Sequence, residues 1–150
     1  VIVDLTVAVE VGLIAACLTF IYRISSLSRA EHVQADAFPE LAGHETAVHA
    51  HRLYGALFFG AVKLVEAIEE GLPTEAVVLD LKNLIYVDSS GADALLALAR
   101  TCKKKQVRLI VCGLGHQPLD MAQRSGLLHA LPDTDLVPDL SHGLALALGR

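Results

Sequence analysis

The stretch AVVLDLKNLIYVDSSGADAL, at positions 76–95, decides the fold. Its beginning, 76–81, is apolar apart from Asp80, and a continuous apolar run of this length predicts a central strand covered on both faces. Four further apolar residues at helical spacing predict a helix: Ala92, Leu95, Leu96 and Ala99. The stretch is therefore a strand, a polar loop at 88–91 and a helix.

The pattern on either side of this stretch repeats the alternation of strands and helices. Gly55 predicts a tight turn between two short strands. The predicted strands cover 48–53, 57–59, 107–112 and 136–137. The predicted helices cover 60–70, 117–125 and 139–148. Strands that alternate with helices of about ten residues imply βαβ crossovers and a largely parallel sheet, so the predicted fold class is α/β.

The N-terminal segment 1–24 is far more apolar than the rest of the chain. A helix over 5–22 is about 27 Å long, close to the hydrocarbon thickness of about 30 Å, so the segment predicts a membrane-spanning helix. Arg23 and Arg29 place its C-terminal side in the cytoplasm. Glu10 at membrane depth implies that other helices pack around it, and an amphipathic cytosolic helix is the alternative. The chain begins with Val rather than Met, so we expect it to be a piece of a longer protein.

The overall composition combines two kinds of segment. The chain is 53% hydrophobic with a mean hydropathy of +0.50, whereas its net charge is −5. This charge provides no basic surface for nucleic acid. Apolar density falls over 25–46, which we interpret as a linker, and 47–150 then forms the α/β domain. Cys17, Cys102 and Cys112 are widely spaced, and their apolar surroundings predict buried, reduced thiols rather than a zinc ribbon or a redox pair.

The loop Asp88-Ser89-Ser90-Gly91 is the most specific local feature. A helix N-terminus offers free N–H groups and a positive dipole, so it suits an anion. The hydroxyls of Ser89 and Ser90 could also accept a phosphoryl group, which adds about −1.5 to −2 charges. The same residues fit an ordinary helix cap, because Ser90-x-x-Asp93 matches a capping box. The residues leave both interpretations open.

Other motifs predict no chemistry. Gly113-Leu114-Gly115 lacks the third glycine of a dinucleotide fingerprint and is typical of a strand-to-helix turn. His49 and His51 share one face of a strand, but no carboxylate or cysteine ligand stands beside them, so no metal site is predicted. Lys103 to Lys105 are a solvated helix end. Without a nucleophile–base pair, the residues predict neither an enzyme nor a bound cofactor.

Four segments resemble one family in the right order. LYGALFFGA (53–61), the opening stretch 76–95 and VRLIVCGLGHQPLDMAQRSGLL (107–128) resemble the STAS domains of SulP-type anion transporters. DLTVAVEVGLIAA (4–16) resembles the last membrane helix of the same transporters. Ala56 departs from the family, because a proline is common at this position of the transporter turn.

The resemblance implies a mixed sheet of four or five strands, with helices mainly on one face and an apolar helix before it. It implies the last transmembrane helix at 1–24, a linker at 25–46 and a cytoplasmic STAS domain at 47–150. The domain would regulate transport or assembly of a sulfate or bicarbonate-like transporter in the inner (cell) membrane, with 25–150 in the cytoplasm. The implied partners are the transporter's own membrane domain and a second protomer in a homodimer.

A second branch of the family implies an alternative function. STAS domains are similar to anti-sigma factor antagonists, in which the serine directly after the motif aspartate is phosphorylated to switch partner binding. Carried over, that position is Ser89, and Asp88, Ser90 and Gly91 match around it. The resemblance also implies nucleotides, acyl carrier protein and a kinase as candidate partners. No residue of this sequence by itself indicates binding of any of them.

Overall fold

Within residues 1–132 and 135–150, which the computed structural model describes, five strands form one sheet in the order β1-β2-β3-β4-β5. The strands are β1 (Arg29–Val33), β2 (Val48–Leu57), β3 (Ala76–Val87), β4 (Arg108–Cys112) and β5 (Leu136–Val137). The α-helices are α1 (Ile2–Ser26), α2 (Val62–Glu70), α3 (Ser89–Lys105), α4 (His116–Ser125), α5 (Leu127–Ala130) and α6 (Leu140–Ala147). Short 3-10 turns lie at Pro39–Leu41 and Phe59–Ala61.

The strand directions make the sheet mixed and largely parallel. β1 is antiparallel to β2, whereas the neighbouring pairs from β2 to β5 are parallel. Because right-handed crossovers that add strands in one direction place their helices on one face, α2 to α5 lie together. One buried apolar cluster lies between the sheet and these helices, and a second lies on the other face beneath α6. The predicted α/β fold with helices mainly on one face is confirmed.

β3 is the central strand, and it is longer than the sequence predicts. Val77, Val78 and Leu79 are fully buried, as expected for a strand covered on both faces. β4 pairs with β3 only as far as Asp80, and the rest of β3 pairs with β2 alone. This second half mixes exposed polar and apolar residues, so its pattern does not show a buried strand. The extension carries the chain to the loop at 88–91.

Asp80 is a buried carboxylate in the middle of this strand. The Arg52 Nε donates to its Oδ2 at 3.0 Å, and the Lys82 backbone N–H donates to its Oδ1 at 3.1 Å. A buried charge is tolerated only when it is paired and hydrogen-bonded, and both oxygens of Asp80 meet that requirement.

β2 is a single strand, so the predicted turn at Gly55 is wrong. Gly55 has a φ of +84°, and the pairing with β3 shifts register beside it, between Gly55 and Ala56. The glycine therefore makes a bulge within the strand rather than a reversal of the chain. A Cβ at this position would lie 3.0 Å from the Leu27 carbonyl oxygen, so the bulge also lets the end of α1 approach β2.

The segment 25–46, predicted as a linker, contributes an edge strand to the sheet. β1 pairs with β2 in a register that sets Arg29 opposite Tyr54 and Val33 opposite Ala50. The Arg29 guanidinium lies 4.4 Å from the centre of the Tyr54 ring. β1 has five residues and an exposed, largely polar face, so its sequence resembles a loop. Charged residues on an edge strand protect it from pairing with other chains.

α1 is exposed along its length, with residues 2–23 all accessible. It is the one described helix that is long and apolar enough to cross a bilayer. Cys17 is exposed on it, so the prediction of burial is wrong for this cysteine. Cys102 and Cys112 are buried as predicted. Burial raises the pKa of Cys102 to about 11 and that of Cys112 to about 12, which keeps both thiols protonated and unreactive at neutral pH.

Candidate functional site

Asp88 caps α3 at the point where β3 ends. Its backbone is extended, and its Oδ1 accepts a hydrogen bond from the Gly91 N–H at 2.7 Å. The interpretation of the loop as a helix cap is confirmed with Asp88 as the N-cap. The Ser90–Asp93 capping box does not form, because Ser90 lies inside the first turn. An aspartate cap satisfies one of the free N–H groups at a helix N-terminus and stabilises the helix by about 1 kcal/mol.

Gly91 is the point where α3 touches the end of β2. A Cβ at this position would lie 2.3 Å from the Leu57 carbonyl oxygen and 2.9 Å from the Leu57 Cγ. The same Leu57 oxygen accepts a hydrogen bond from the Asp88 N–H at 3.2 Å. Only glycine fits between α3 and β2 without displacing one of them, so the loop 88–91 is held against the sheet.

Gln117, in the first turn of α4, holds the loop from the other side. Its Oε1 accepts from the Val87 N–H at 2.9 Å, and its Nε2 donates to the Val87 carbonyl at 2.8 Å. The amide thus replaces a neighbouring strand at the last residue of β3. The sequence offers no local signal for this role, because Gln117 lies 30 residues from Val87 along the chain.

Ser89 and Ser90 differ in their access to solvent. Ser89 is exposed at the first helical residue of α3, whereas Ser90 is half-buried. A shallow groove of about 240 Å³ runs from Ser89 to α4. It is lined by Ser89, Ala92, Asp93, Met121, Arg124 and Ser125. The helix N-terminus and Arg124 would attract a phosphate on Ser89, whereas Asp93 would repel it.

Exposed apolar side chains lie at the same end of the sheet, where β2 and β3 finish. Phe59 is 82% exposed, Ile85 76% and Tyr86 41%. The rings of Phe58 and Tyr86 pack 5.3 Å apart, so they join the ends of the two strands. Clustered apolar residues on a surface are typical of an interaction site. We call Phe58, Phe59, Ile85 and Tyr86 the apolar strand-end surface.

The end of α1 is attached to β2 beside this surface. The Ser28 hydroxyl donates to the Ala56 carbonyl and accepts from the Ala56 N–H at 3.3 Å. The loop 88–91, the apolar strand-end surface and the end of α1 therefore share one end of the domain.

The structure brings three histidines together at a different place. His49 and His51, singled out in the sequence as a pair, meet His32 of β1. Each ring contributes one nitrogen to a group of three atoms that all lie within 4.8 Å of one another. His32 escapes sequence reasoning because it lies in the segment interpreted as a linker.

The other predicted motifs lie where the sequence places them. Gly113, with a φ of +67°, begins the turn from β4 to α4, and Gly115 is the N-cap of α4. This confirms a strand-to-helix turn. Lys103 to Lys105 are exposed in the last turn of α3, where cations stabilise a helix C-terminus.

The chain belongs to the STAS domain family, because the family model of that description matches residues 38–140. This confirms the resemblance that the sequence segments indicate.

Two transporters are among the similar proteins. The putative sulfate transporter YvdB of Bacillus subtilis (strain 168) is 28% identical over 134 residues, which cover 85% of this chain and 24% of the relative. The murine Solute Carrier 26 family member A9 anion transporter has a similar structure, with a TM-score of 0.73 and 17% identity over 95% of this chain and 25% of its own. This chain thus spans about a quarter of the length of the curated relative it matches.

An anti-sigma factor antagonist shares the fold as well. SpoIIAA in its unphosphorylated form superposes with a TM-score of 0.58 and 21% identity, covering 82% of this chain and 97% of its own. The likeness to the solute carrier covers 95% of this chain and that to SpoIIAA covers 82%.

Proposed function

We propose that this chain is the cytoplasmic STAS domain of a SulP-type secondary anion transporter, joined to the last helix of its membrane domain. In this proposal residues 1–24 span the membrane, 25–46 lead into the domain and supply its edge strand β1, and 47–150 form the rest of the regulatory domain. One structural arrangement carries the proposal. The helix α1 is exposed and apolar, and Ser28, two residues past its end, is hydrogen-bonded to Ala56 of β2. The family match and the likeness to two transporters support it.

The orientation of the helix follows from its charges. Arg23 lies in the last turn of α1 and Arg29 follows at the start of β1, so the positive-inside rule places 25–150 in the cytoplasm of a cell-membrane transporter. Glu10 is exposed on α1, and a lone carboxylate at membrane depth needs the neighbouring helices of a transporter.

The domain acts by docking rather than by catalysis. Its apolar strand-end surface lies beside the end of α1, so it faces the membrane domain or the STAS domain of a second protomer. Because Ser28 ties α1 to β2, a movement of the membrane helix is transmitted to this surface, and contact at the surface restrains the helix. The transported anion binds elsewhere, at the midplane of the membrane domain.

Transport by the parent protein tests this proposal. The intact transporter and a version that lacks residues 47–150 are reconstituted in liposomes, and sulfate and bicarbonate uptake are measured. Ile85→Asp in the intact transporter is expected to reduce flux or assembly, because a charge enters the docking surface. Gln123→Asp, on the exposed side of α4, is the control. Normal assembly and uptake after removal of 47–150 would contradict the proposal.

Phosphorylation of Ser89 is a second candidate function, favoured by the exposure of Ser89 at the start of α3. In this function the domain binds its partner in one phosphorylation state, as an anti-sigma factor antagonist does. The chain is incubated with a serine kinase and ATP, and the modified residue is mapped by mass spectrometry. Modification that persists in Ser89→Ala, or that reaches only other serines, excludes this function.

A further inference from the structure

We propose that His32, His49 and His51 form a binding site for a zinc ion on the helix-covered face of the sheet. The three side chains come from the edge strand β1 and its neighbour β2. The site is distinct from the loop 88–91 and does not depend on the proposed transport function.

Strand register creates the cluster. His32 lies directly opposite His51 in the antiparallel pair, and His49 lies two residues earlier on the same face of β2. The ring centre of His32 lies 5.1 Å from the ring centre of His49 and 4.8 Å from that of His51. The candidate nitrogens all lie within 4.8 Å of one another, and zinc bound tetrahedrally at about 2.1 Å needs them about 3.4 Å apart, so the side chains would rotate toward the ion on binding.

One ring nitrogen of His51 is buried and makes no hydrogen bond. Among the described residues, its Nε2 is the one buried side-chain nitrogen or oxygen atom without a hydrogen-bond partner. Buried polar atoms are almost always paired, so an unpaired one next to two other imidazoles points to a ligand.

His49 makes a hydrogen bond of the kind that commonly supports a histidine ligand. Its Nδ1 lies 3.1 Å from the Gly71 carbonyl oxygen, which can only accept, so Nδ1 is the donor and Nε2 is the nitrogen left to bind a metal. A hydrogen bond from the far ring nitrogen to a backbone carbonyl is the usual support of a histidine ligand.

The chemistry of the donor set selects the metal. Imidazole nitrogens suit zinc and its neighbours in the first transition row, and do not suit calcium or magnesium, which prefer oxygen. His32 is exposed, which leaves the fourth position to water or to a group from a partner. A bound ion would join β1 to β2 and, through Gly71, to the end of α2, thereby fixing the strand that follows α1.

Metal titration of the full chain in detergent tests the site. The background is Cys17→Ser, because the exposed thiol would otherwise bind metal. Co²⁺ is added first, since a tetrahedral site gives intense visible absorption, and Zn²⁺ is then used to displace it. We expect saturation at about one equivalent, and an at least tenfold weaker affinity in His32→Ala, His49→Ala and His51→Ala.

The controls separate loss of the site from loss of the fold. His129→Ala, exposed on α5, should bind like the unchanged chain. Because His51→Ala could disturb the core, the exposed His32→Ala is compared by circular dichroism and by its melting temperature, which zinc should raise in the unchanged chain and not in the variant. Absence of saturable binding in the unchanged chain, or an affinity in all three histidine variants equal to that of the unchanged chain, would overturn the proposal.

Discussion

The Ser28 hydroxyl bonds both the carbonyl and the N–H of Ala56, so one side chain joins the segment after α1 to the carboxyl end of β2. The neighbouring Gly55 leaves room for the Leu27 carbonyl. Under the proposed function, this junction is where the membrane helix meets the cytoplasmic domain.

We expect Ser28→Ala to destabilise the chain by about 1–2 kcal/mol, because two half-buried hydrogen bonds are lost. The free energy of unfolding is measured by urea titration in detergent. Ser26→Ala is the matched control, since that hydroxyl bonds only within α1, to the Arg23 carbonyl. An equal effect of the two substitutions would show that Ser28 does not join α1 to β2.

Gly91→Ala tests the contact between α3 and β2. The new Cβ would meet the Leu57 carbonyl oxygen at 2.3 Å, so α3 or β2 must move, and we expect a loss of about 1–3 kcal/mol. Gly115→Ala is the control, because open space surrounds that position and its φ of −151° suits any residue. If thermal melting shows Gly91→Ala to be as stable as Gly115→Ala, the packing argument for Gly91 is wrong.

The role of Asp88 as a cap predicts a difference between two substitutions. Asp88→Ala removes the acceptor for the Gly91 N–H and should cost about 1 kcal/mol, whereas Asp88→Asn keeps an oxygen acceptor and should cost less. Ser89→Ala, which removes an exposed hydroxyl, should leave unfolding almost unchanged. If Asp88→Ala and the unchanged chain are equally stable in chemical denaturation, Asp88 does not stabilise α3 as its cap.

The sequence predicts most of the regular elements because they are long or strongly apolar. The strand at 76–81 and the helix after it are visible in the pattern, and so are the strand and helix that follow. β1 is not visible, because five mostly exposed residues at a sheet edge carry no periodic signal. Gly55 misleads for a related reason, since a positive φ serves a bulge within a strand as well as a turn.

The candidate sites depend on contacts that no local pattern encodes. Asp88 and Ser89 can be singled out because strand, loop and helix follow one another along the chain. Gln117 reaches Val87 from another helix, and His32 meets His51 only through the register of two strands. Such contacts become predictable once the sheet order is known.

Gln117→Ala should loosen the end of β3, because both hydrogen bonds to Val87 are lost. We expect a cost of about 1–3 kcal/mol, since the Val87 N–H and carbonyl are left without their partners in a half-buried place. Hydrogen exchange of the amides at 87–91 should accelerate as well. Gln123→Ala, exposed later on the same helix, is the control and should alter neither quantity. Unchanged exchange in Gln117→Ala would mean that β2 and Gly91 alone hold the loop.

Asp139 gives the stability a defined dependence on pH. The His142 backbone N–H donates to its Oδ1 at 2.9 Å and lowers the pKa of Asp139 below its ordinary value, with a further contribution from the His142 side chain. A carboxylate whose pKa is lower in the folded state stabilises the fold above its unfolded pKa of about 3.9, and this contribution is lost as the pH falls through the folded pKa. The unchanged chain should therefore lose stability relative to Asp139→Asn as the pH is lowered below about 4, in urea titrations at successive pH values. A stability difference that stays constant across this range would show that Asp139 does not cap α6 as a charged group.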